Sequence, residues 1–291
     1  MIDIILGILS FNVILIGFKL LEKYQVDNLQ AIMFNYVTAG LLSFILAPEI
    51  PAVKEVVASN WFFYAVGVGV MFIVVFNLLA RASQKIGMAI STVANKMSLI
   101  IPIIAALILF DGETVSFLKI LGILLALAGI FFTSTKGGKL NFDIKYLWMI
   151  LVIFFGQGLA DVLFNCAKEW YVDASLNGLF FIVIFLSAGT VGFFMLLPRL
   201  IRGTSTFQFK SILWGIGLGV PNFLTLWFFF RSLESGDLEV SQINPIYNIG
   251  VVVLSSFIGL FFFKEKLSPS NWLGVALSVA SIAAIMLSNL P

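Results

Sequence analysis

Ten apolar runs of helix length constrain this chain more than any other feature. About 20 consecutive apolar residues are needed for a helix to cross a bilayer. Membrane β-barrels instead show short segments of alternating hydrophobicity. The runs occupy Ile2–Leu21, Leu29–Ala47, Trp61–Leu79, Met88–Phe110, Phe117–Thr133, Tyr146–Cys166, Leu176–Leu197, Ile212–Phe230, Val240–Phe263 and Trp272–Leu287. They predict an all-α integral membrane protein of the cell (inner) membrane with ten transmembrane helices, the first retained rather than cleaved.

The ten runs fall into two related groups of five, separated by the polar segment from Thr135 to Asp143. An odd number of spans in each group gives the second group the opposite orientation in the membrane, as in the inverted repeats of secondary transporters. We therefore predict a first five-helix repeat over residues 1–137 and a second over 138–291, joined in one membrane domain. At an offset of 150 residues the coinciding pairs include Gly67 with Gly217, Gly69 with Gly219, Val70 with Val220, Arg81 with Arg231, and Ser91 with Ser241.

A short motif closes each half of the chain. The first copy has Gly112-Glu113 followed by Gly122, and the second has Glu265 followed by Gly274, with Lys264 in place of the first glycine. In this pattern the chain resembles EamA-type proteins of the drug/metabolite transporter superfamily. The resemblance implies ten helices in two inverted five-helix repeats and the transport of small molecules across a membrane, in a family with many different substrates.

The residues around these glutamates also carry helix-start signals. Ser116 and Ser268 are placed to cap the last helix of each half, and Pro269 suits a first helical position. We interpret Glu113 and Glu265 as structural residues that hold loops near helix N-termini.

The fourth apolar run carries an intramembrane lysine among polar neighbours. Lys96 lies beside Asn95, and Thr92 and Ser91 precede it by about one helical turn, so the four are candidates for substrate binding. Lysine within a span usually faces a bundle interior or a wet cavity. The alternative is that Lys96 reaches the membrane surface, because helical side chains point toward the N-terminus.

The ninth run carries a matching polar cluster about 150 residues later. Asn244 and Asn248 share one helical face, and Gln242 and Tyr247 flank it, which adds four substrate-binding candidates. Two such clusters at corresponding places predict a central site between the repeats. The alternative is that the amide side chains form hydrogen bonds between helices and only hold the bundle together.

Asp161 is a carboxylate placed well inside a span. A short acidic side chain at that depth indicates a counter-ion to Lys96 or a proton carrier in coupled transport. The alternative is a residue near the membrane interface at the end of its helix.

Several functional classes are disfavoured by what the composition lacks. The chain has no histidine and a single cysteine, Cys166, so it offers no common acid–base catalyst, disulfide or metal cluster. No phosphate-binding loop or basic stripe for nucleic acid occurs, and no cofactor is expected. We expect a monomeric or homodimeric secondary transporter that moves a small polar or anionic metabolite by alternating access, and not an enzyme. The alternative is a membrane-embedded transferase acting on a lipid-linked substrate.

Charge between the spans predicts an orientation, because cytoplasmic loops carry the excess of lysine and arginine. This bias places both termini outside the cytoplasm, whereas the EamA resemblance implies both termini inside it. Four cations fall on one side: Lys54, Lys119, Lys168 and Arg231. Twelve fall on the other: Lys19, Lys23, Arg81, Lys85, Lys136, Lys139, Lys145, Arg199, Arg202, Lys210, Lys264 and Lys266.

Overall fold

The computed structural model describes residues 1–46, 52–109, 116–136, 139–140, 142–234 and 240–288. Within these ranges, the side chains at 107, 135, 136, 139, 140, 174, 233, 234, 240–242, 244 and 245 lie outside the described part. Glu113, the first of the two motif glutamates, also lies outside it.

The described chain is helical and carries long apolar helices. Nine helical segments are long and apolar enough to cross a membrane, counted over the described residues. The helices are α1 Ile2–Lys23, α2 Asn28–Leu46, α3 Val53–Ala58, α4 Phe62–Lys85, α5 Met88–Met97, α6 Ile100–Leu109, α7 Phe117–Ser134, α8 Leu147–Trp170, α9 Asn177–Ile201, α10 Phe209–Glu234, α11 Val240–Phe261 and α12 Pro269–Ser288.

Two elements differ from a simple series of straight spans. The run predicted as one helix from Met88 forms α5 and α6, which together make one of the nine membrane-length segments and are separated by a turn at Ser98 and Leu99. The ninth predicted run forms α11, a helix of 22 residues. In the predicted linker, the two-residue strands β1 Thr135–Lys136 and β2 Lys139–Leu140 pair antiparallel.

Helices from the two halves of the chain pack on one another. α2 packs against α9 and α10, α1 against α10 and α11, and α4 against α8 and α9. α5 contacts α7, α8 and α11, and α6 contacts α8. Because helices of one half pack against helices of the other, the interior of the bundle lies between the two halves.

α7 and α12, the last helix of each half, pack closely through small residues. A Cβ atom on Gly129 would lie 2.4 Å from Ser278 Oγ, and one on Gly274 would lie 2.2 Å from the backbone nitrogen of Thr133. Ser281 Oγ also donates to the Gly122 carbonyl at 2.7 Å. Small residues at these positions allow the two backbones to approach.

The predicted helix caps at α7 and α12 are confirmed. Ser116 Oγ accepts a hydrogen bond from Lys119 N at 3.2 Å, and Ser268 Oγ accepts one from Asn271 N at 3.3 Å. α12 begins at Pro269, as the sequence predicts. Each bond satisfies an N–H group that the first turn of a helix leaves free.

Polar contacts tie several helix ends together at one end of the bundle, which we call the lysine-rich end. The C-terminal parts of α1 and α4 meet the N-terminal parts of α2, α5 and α10 there. Gln84 Nε2 donates to the Phe18 carbonyl at 2.6 Å, and Gln30 Nε2 donates to the Thr206 carbonyl at 2.8 Å. Exposed Glu22 pairs with Lys85 at 2.5 Å. Lys19, Lys23, Lys85 and Lys210 lie on the elements gathered here.

Candidate functional site

A cavity of about 530 Å³ lies in the interior of the bundle. Helices of both halves contribute to its wall: α1, α4, α5 and α6 from the first, and α8, α10, α11 and α12 from the second. A volume of this size falls within the range of small-molecule sites. Its polar and aromatic lining residues are Phe11, Phe72, Phe76, Asn95, Lys96, Ser98, Gln157, Asp161, Phe164, Asn165, Asn222, Thr225, Phe229, Phe230, Tyr247 and Asn248.

Lys96 projects into this cavity from the last turn of α5. Its Nζ atom lies 4.1 Å from the centre of the Phe11 ring and 5.6 Å from that of Tyr247. Both distances are within the range of cation–π attraction. In the part of the chain that the structure describes, the ammonium group has no hydrogen-bond or ion-pair partner. Its N–H donors are therefore available to a solute or to water.

A chain of hydrogen bonds connects α5 with Asp161 on α8. Asn95 Nδ2 donates to Gln157 Oε1 at 3.1 Å, and Gln157 Nε2 donates to Asp161 Oδ1 at 2.8 Å. Gln157 and Asp161 are four residues apart, so they share one face of α8. The lysine and the carboxylate therefore line one cavity without a direct ion pair, and the amides of Asn95 and Gln157 connect their helices.

The turn between α5 and α6 lies at the cavity wall and has a local cause. Pro102 has no backbone N–H, and its ring conflicts with the carbonyl of the residue four positions earlier, which is Ser98. The Ser98 carbonyl accepts from Ile101 N instead, at 2.9 Å. Ser98 Oγ donates to the Asn95 carbonyl at 2.5 Å. The interruption therefore begins two residues after Lys96, where irregular backbone lines a cavity rather than lipid.

The polar cluster on α11 reaches the same cavity from the other side. Tyr247 is buried and donates its hydroxyl to the Gly7 carbonyl at 3.0 Å, which fixes its ring beside Lys96. Asn248 lines the cavity next to it. The side chains of Gln242 and Asn244, also predicted as binding residues, lie outside the described part of the structure.

Ser91 and Thr92 occupy packed interior instead of the cavity wall. Ser91 Oγ is buried and donates to the carbonyl of Gly87, at 2.9 Å. Thr92 is also fully buried, and its Oγ1 has no hydrogen-bond partner among the described residues. The structure thus brings together Lys96, Asn95, Tyr247, Asn248 and Asp161 of the predicted set, and it places the two hydroxyl residues one to two turns away along α5.

Sequence reasoning did not identify Gln157 or the phenylalanines of the lining as parts of the site. Gln157 could have been found from its spacing to Asp161, because residues four apart lie side by side on a helix. The phenylalanines carried no such signal, since the chain contains 31 of them. Asn222 lines the cavity as well, and its Nδ2 atom is buried without a hydrogen-bond partner among the described residues.

The cavity extends away from the lysine-rich end. Its walls are formed by residues near the C-terminal ends of α6, α10 and α12, such as Ala106, Phe230 and Ile285, which lead toward the opposite end. At the lysine-rich end, Glu265 contacts α1 and α5. Its carboxylate accepts from Lys19 Nζ at 2.8 Å and from Met88 N at 2.8 Å and 3.0 Å.

Comparison with known proteins shows a relative of similar length and a shared fold. No protein-family model matches the sequence. A crystal structure of a protein with 17% sequence identity superposes with a TM-score of 0.62, covering 98% of this chain and 96% of that one. At that identity the match shows a common fold alone.

An uncharacterized protein of Haemophilus influenzae is 31% identical to this chain over 289 residues. The alignment covers 96% of each of the two sequences. Similarity at this level over nearly the whole length shows common descent, and the chain therefore belongs to the same protein family as this Haemophilus influenzae protein.

Proposed function

We propose that this protein is a secondary transporter of the EamA type, within the drug/metabolite transporter superfamily. It moves a small organic solute across the inner membrane by alternating access, with the cavity as its central binding site. The observation that carries the proposal is the position of Lys96, an intramembrane cation that projects into a cavity formed by both halves of the chain. Ionisable groups placed in this way mark substrate pathways in membrane proteins.

The pattern of helix packing supports ten spans in two inverted repeats. With five helical segments in each half, α1 corresponds to α8, α2 to α9, α4 to α10, α5 and α6 together to α11, and α7 to α12. Under this correspondence the packing of α1 on α10 is matched by that of α8 on α4. The packing of α2 on α10 is matched by that of α9 on α4. The pairs α2–α9 and α7–α12 correspond to themselves, as a two-fold axis between the halves requires.

The lining of the cavity favours a particular kind of solute. Lys96 and Asp161 supply one cation and one carboxylate, so the site has little surplus positive charge for a phosphate or another multiply charged anion. Seven aromatic residues of the described lining supply apolar surface. We infer a small organic metabolite with a single carboxylate-like group and an apolar portion, held also by the amides of Asn95, Gln157 and Asn248.

Transport by purified protein in liposomes is the direct test. A thermal-shift screen of carboxylate metabolites first identifies a ligand, and counterflow of the labelled ligand then measures transport. Lys96→Ala should lower the rate at subsaturating ligand by about tenfold or more, because charge-assisted hydrogen bonds contribute about 1.5–3 kcal/mol. Lys54→Ala removes an exposed lysine from α3 and should transport normally. Product formation in detergent, with no second compartment, would instead indicate a transferase.

The energy source is tested at Asp161. If a proton accompanies the solute, an imposed pH gradient should drive accumulation in the native protein and fail to do so in Asp161→Asn. Counterflow, which needs no gradient, should persist in that variant. Equal accumulation in both proteins would place the coupling on a group other than Asp161, and no accumulation in the native protein would assign exchange or facilitated diffusion.

A further inference from the structure

We propose that Glu265 and Lys19 form a latch that closes the lysine-rich end of the transport pathway, an inference that rests on the proposed alternating access. Glu265 lies in the connection between α11 and α12, in the second half of the chain. Its partners, Lys19 on α1 and Met88 at the start of α5, lie in the first half. The contact therefore joins the two units that alternating access has to separate.

The geometry concentrates several interactions on one carboxylate. Both oxygens of Glu265 accept from Met88 N, so the carboxylate satisfies the free N–H at the N-terminus of α5. Lys19 Nζ donates to Glu265 Oε1 and also to the Ser83 carbonyl of α4, at 2.6 Å. One ion pair thus holds α1, α4 and α5 against the α11–α12 connection.

Two glycines provide the space in which the carboxylate lies. Gly87 precedes α5 with a φ of 122°, which side chains rarely adopt, and a Cβ atom there would lie 3.1 Å from Glu265 Oε2. A Cβ atom on Gly259 of α11 would lie 2.7 Å from the same oxygen. The side chains of Lys19 and Glu265 are only 18% and 11% exposed. Loss of one partner would leave the other charge buried and unpaired, which favours hydration of the gap.

The latch connects mechanically to the cavity through α5. Met88, held by Glu265, begins the helix, and Asn95 and Lys96 in its last turn line the cavity. Eight residues of helix separate Met88 from Lys96, or about 12 Å at 1.5 Å per residue. A tilt of α5 that follows binding at Lys96 would therefore act directly on the contact between Met88 and Glu265.

Cysteine accessibility in native membranes tests the latch without a known substrate. The background is Cys166→Ser, which removes the single cysteine. Ser91→Cys, buried on α5 just inside the latch, reports opening at the lysine-rich end. Asn165→Cys, exposed on the cavity wall, reports the opposite end. A charged, membrane-impermeant maleimide is applied to spheroplasts and to inverted vesicles.

With the latch intact, the cysteine at 91 should be protected from the lysine-rich side. Glu265→Gln should raise its labelling rate from that side by about tenfold, the change that about 1.4 kcal/mol in the opening equilibrium produces. Lys19→Met should act in the same direction. Glu22→Gln is the matched control, because it breaks the exposed pair with Lys85 at the same end and should leave labelling unchanged.

Retained labelling of the cysteine at 165 and a monodisperse elution profile establish that each variant is folded. Unchanged protection at position 91 in both folded latch variants would overturn the proposal. Increased labelling without any solute transport would keep the latch and reject the transporter. The two proposals therefore fail separately.

Discussion

The Nζ atom of Lys96 lies 4.1 Å from the centre of the Phe11 ring, so a cation carried by α5 rests against an aromatic residue of α1. Such a contact is worth about 0.5–2 kcal/mol, with the higher values where water is excluded. It holds the ammonium group at the cavity wall, and not at the end of the bundle as in the alternative of a lysine that reaches the surface. The position of the charge therefore depends on the packing of α1 against the rest of the site.

Phe11→Leu should weaken solute binding by about three- to tenfold, because the loss of the cation–π contact frees Lys96 to move. Phe11→Tyr preserves the ring and should bind normally. Phe193→Leu, at an exposed phenylalanine of α9, serves as the control for a lost ring elsewhere. Ligand-induced thermal shifts give the affinity of the native protein and of the three variants. Equal affinity in Phe11→Leu and the native protein would contradict the role given to the cation–π contact.

Gln157→Leu should destabilise the protein and reduce its ligand affinity. The variant removes the donor of Asp161 and the acceptor of Asn95, and a buried polar group left without its partner costs about 1–3 kcal/mol. Thermal unfolding in detergent and ligand titration measure the two effects. Thr190→Val, which removes an exposed hydroxyl bonded within its own helix, should change neither. A Gln157→Leu protein with native melting temperature and affinity would show that the chain of hydrogen bonds is dispensable.

Gly69→Ala should destabilise the bundle, because its new Cβ atom would lie 2.5 Å from the Ile184 carbonyl and 2.2 Å from Ser187 Oγ. Overpacking of this kind costs about 1–3 kcal/mol. Gly217 on α10, which falls on Gly67 at an offset of 150 residues, has open space around the position of an added Cβ atom. Gly217→Ala should therefore be neutral or slightly stabilising, since alanine favours helices. Thermal unfolding measures the stability of both variants. An equal decrease in melting temperature would refute the predicted difference between them.

Acidification should loosen the connection between α8 and α9. Hydrogen bonds from Ser175 and Leu176 hold the pKa of Asp173 below its usual range. A carboxylate with a lowered pKa stabilises the folded state above its unfolded pKa of about 3.9, and the effect is lost as pH falls through the folded value. At pH 6, Asp173→Ala should exchange the Ser175 and Leu176 amide hydrogens faster than the native protein. The difference in exchange rate between the variant and the native protein should become smaller below about pH 4. A difference that does not change with pH would contradict the role given to the Asp173 carboxylate.

A C-terminal reporter fusion decides between the two predicted orientations. The excess of lysine and arginine at one end places the termini outside the cytoplasm, so a reporter active only in the periplasm should give signal. A fusion at the connection between α9 and α10 should give the opposite result and serves as the internal control. Activity of a cytoplasmic reporter at the C-terminus would show that the EamA resemblance predicts orientation better than the charges do.

Apolar run length predicted where the long helices lie, but their ends depend on polar residues. The predicted third run ends at Leu79, whereas α4 continues through Ser83 to Lys85. In its last turn Gln84 bonds to the Phe18 carbonyl, and Lys85 pairs with Glu22, both on α1. Hydropathy contains no information on such pairings. The interruption of the fourth run, by contrast, had a signal in the sequence, because Pro102 lies about one turn after it and has no backbone N–H.

The candidate site was only partly predictable for a related reason. Polarity inside a span identified Lys96 and Asp161 individually, but their common cavity follows from the packing of α5 on α8. Ser91 and Asn95 are one turn apart on α5, yet Ser91 bonds to its own helix and Asn95 bonds to Gln157. Glu265 was correctly interpreted as a residue near a helix N-terminus. That helix proved to be α5, 177 residues earlier in the chain.

The close packing of α7 on α12 has a consequence for synthesis of the protein. α12 is synthesised after α7, and it supplies the Ser278 and Gly274 surface against which Gly129 fits. Until α12 has been made, this face of α7 remains uncovered beside the lipid or the insertion machinery. A chain cut before α12 would leave the same face exposed, where proteolytic quality control can recognise an unfinished product.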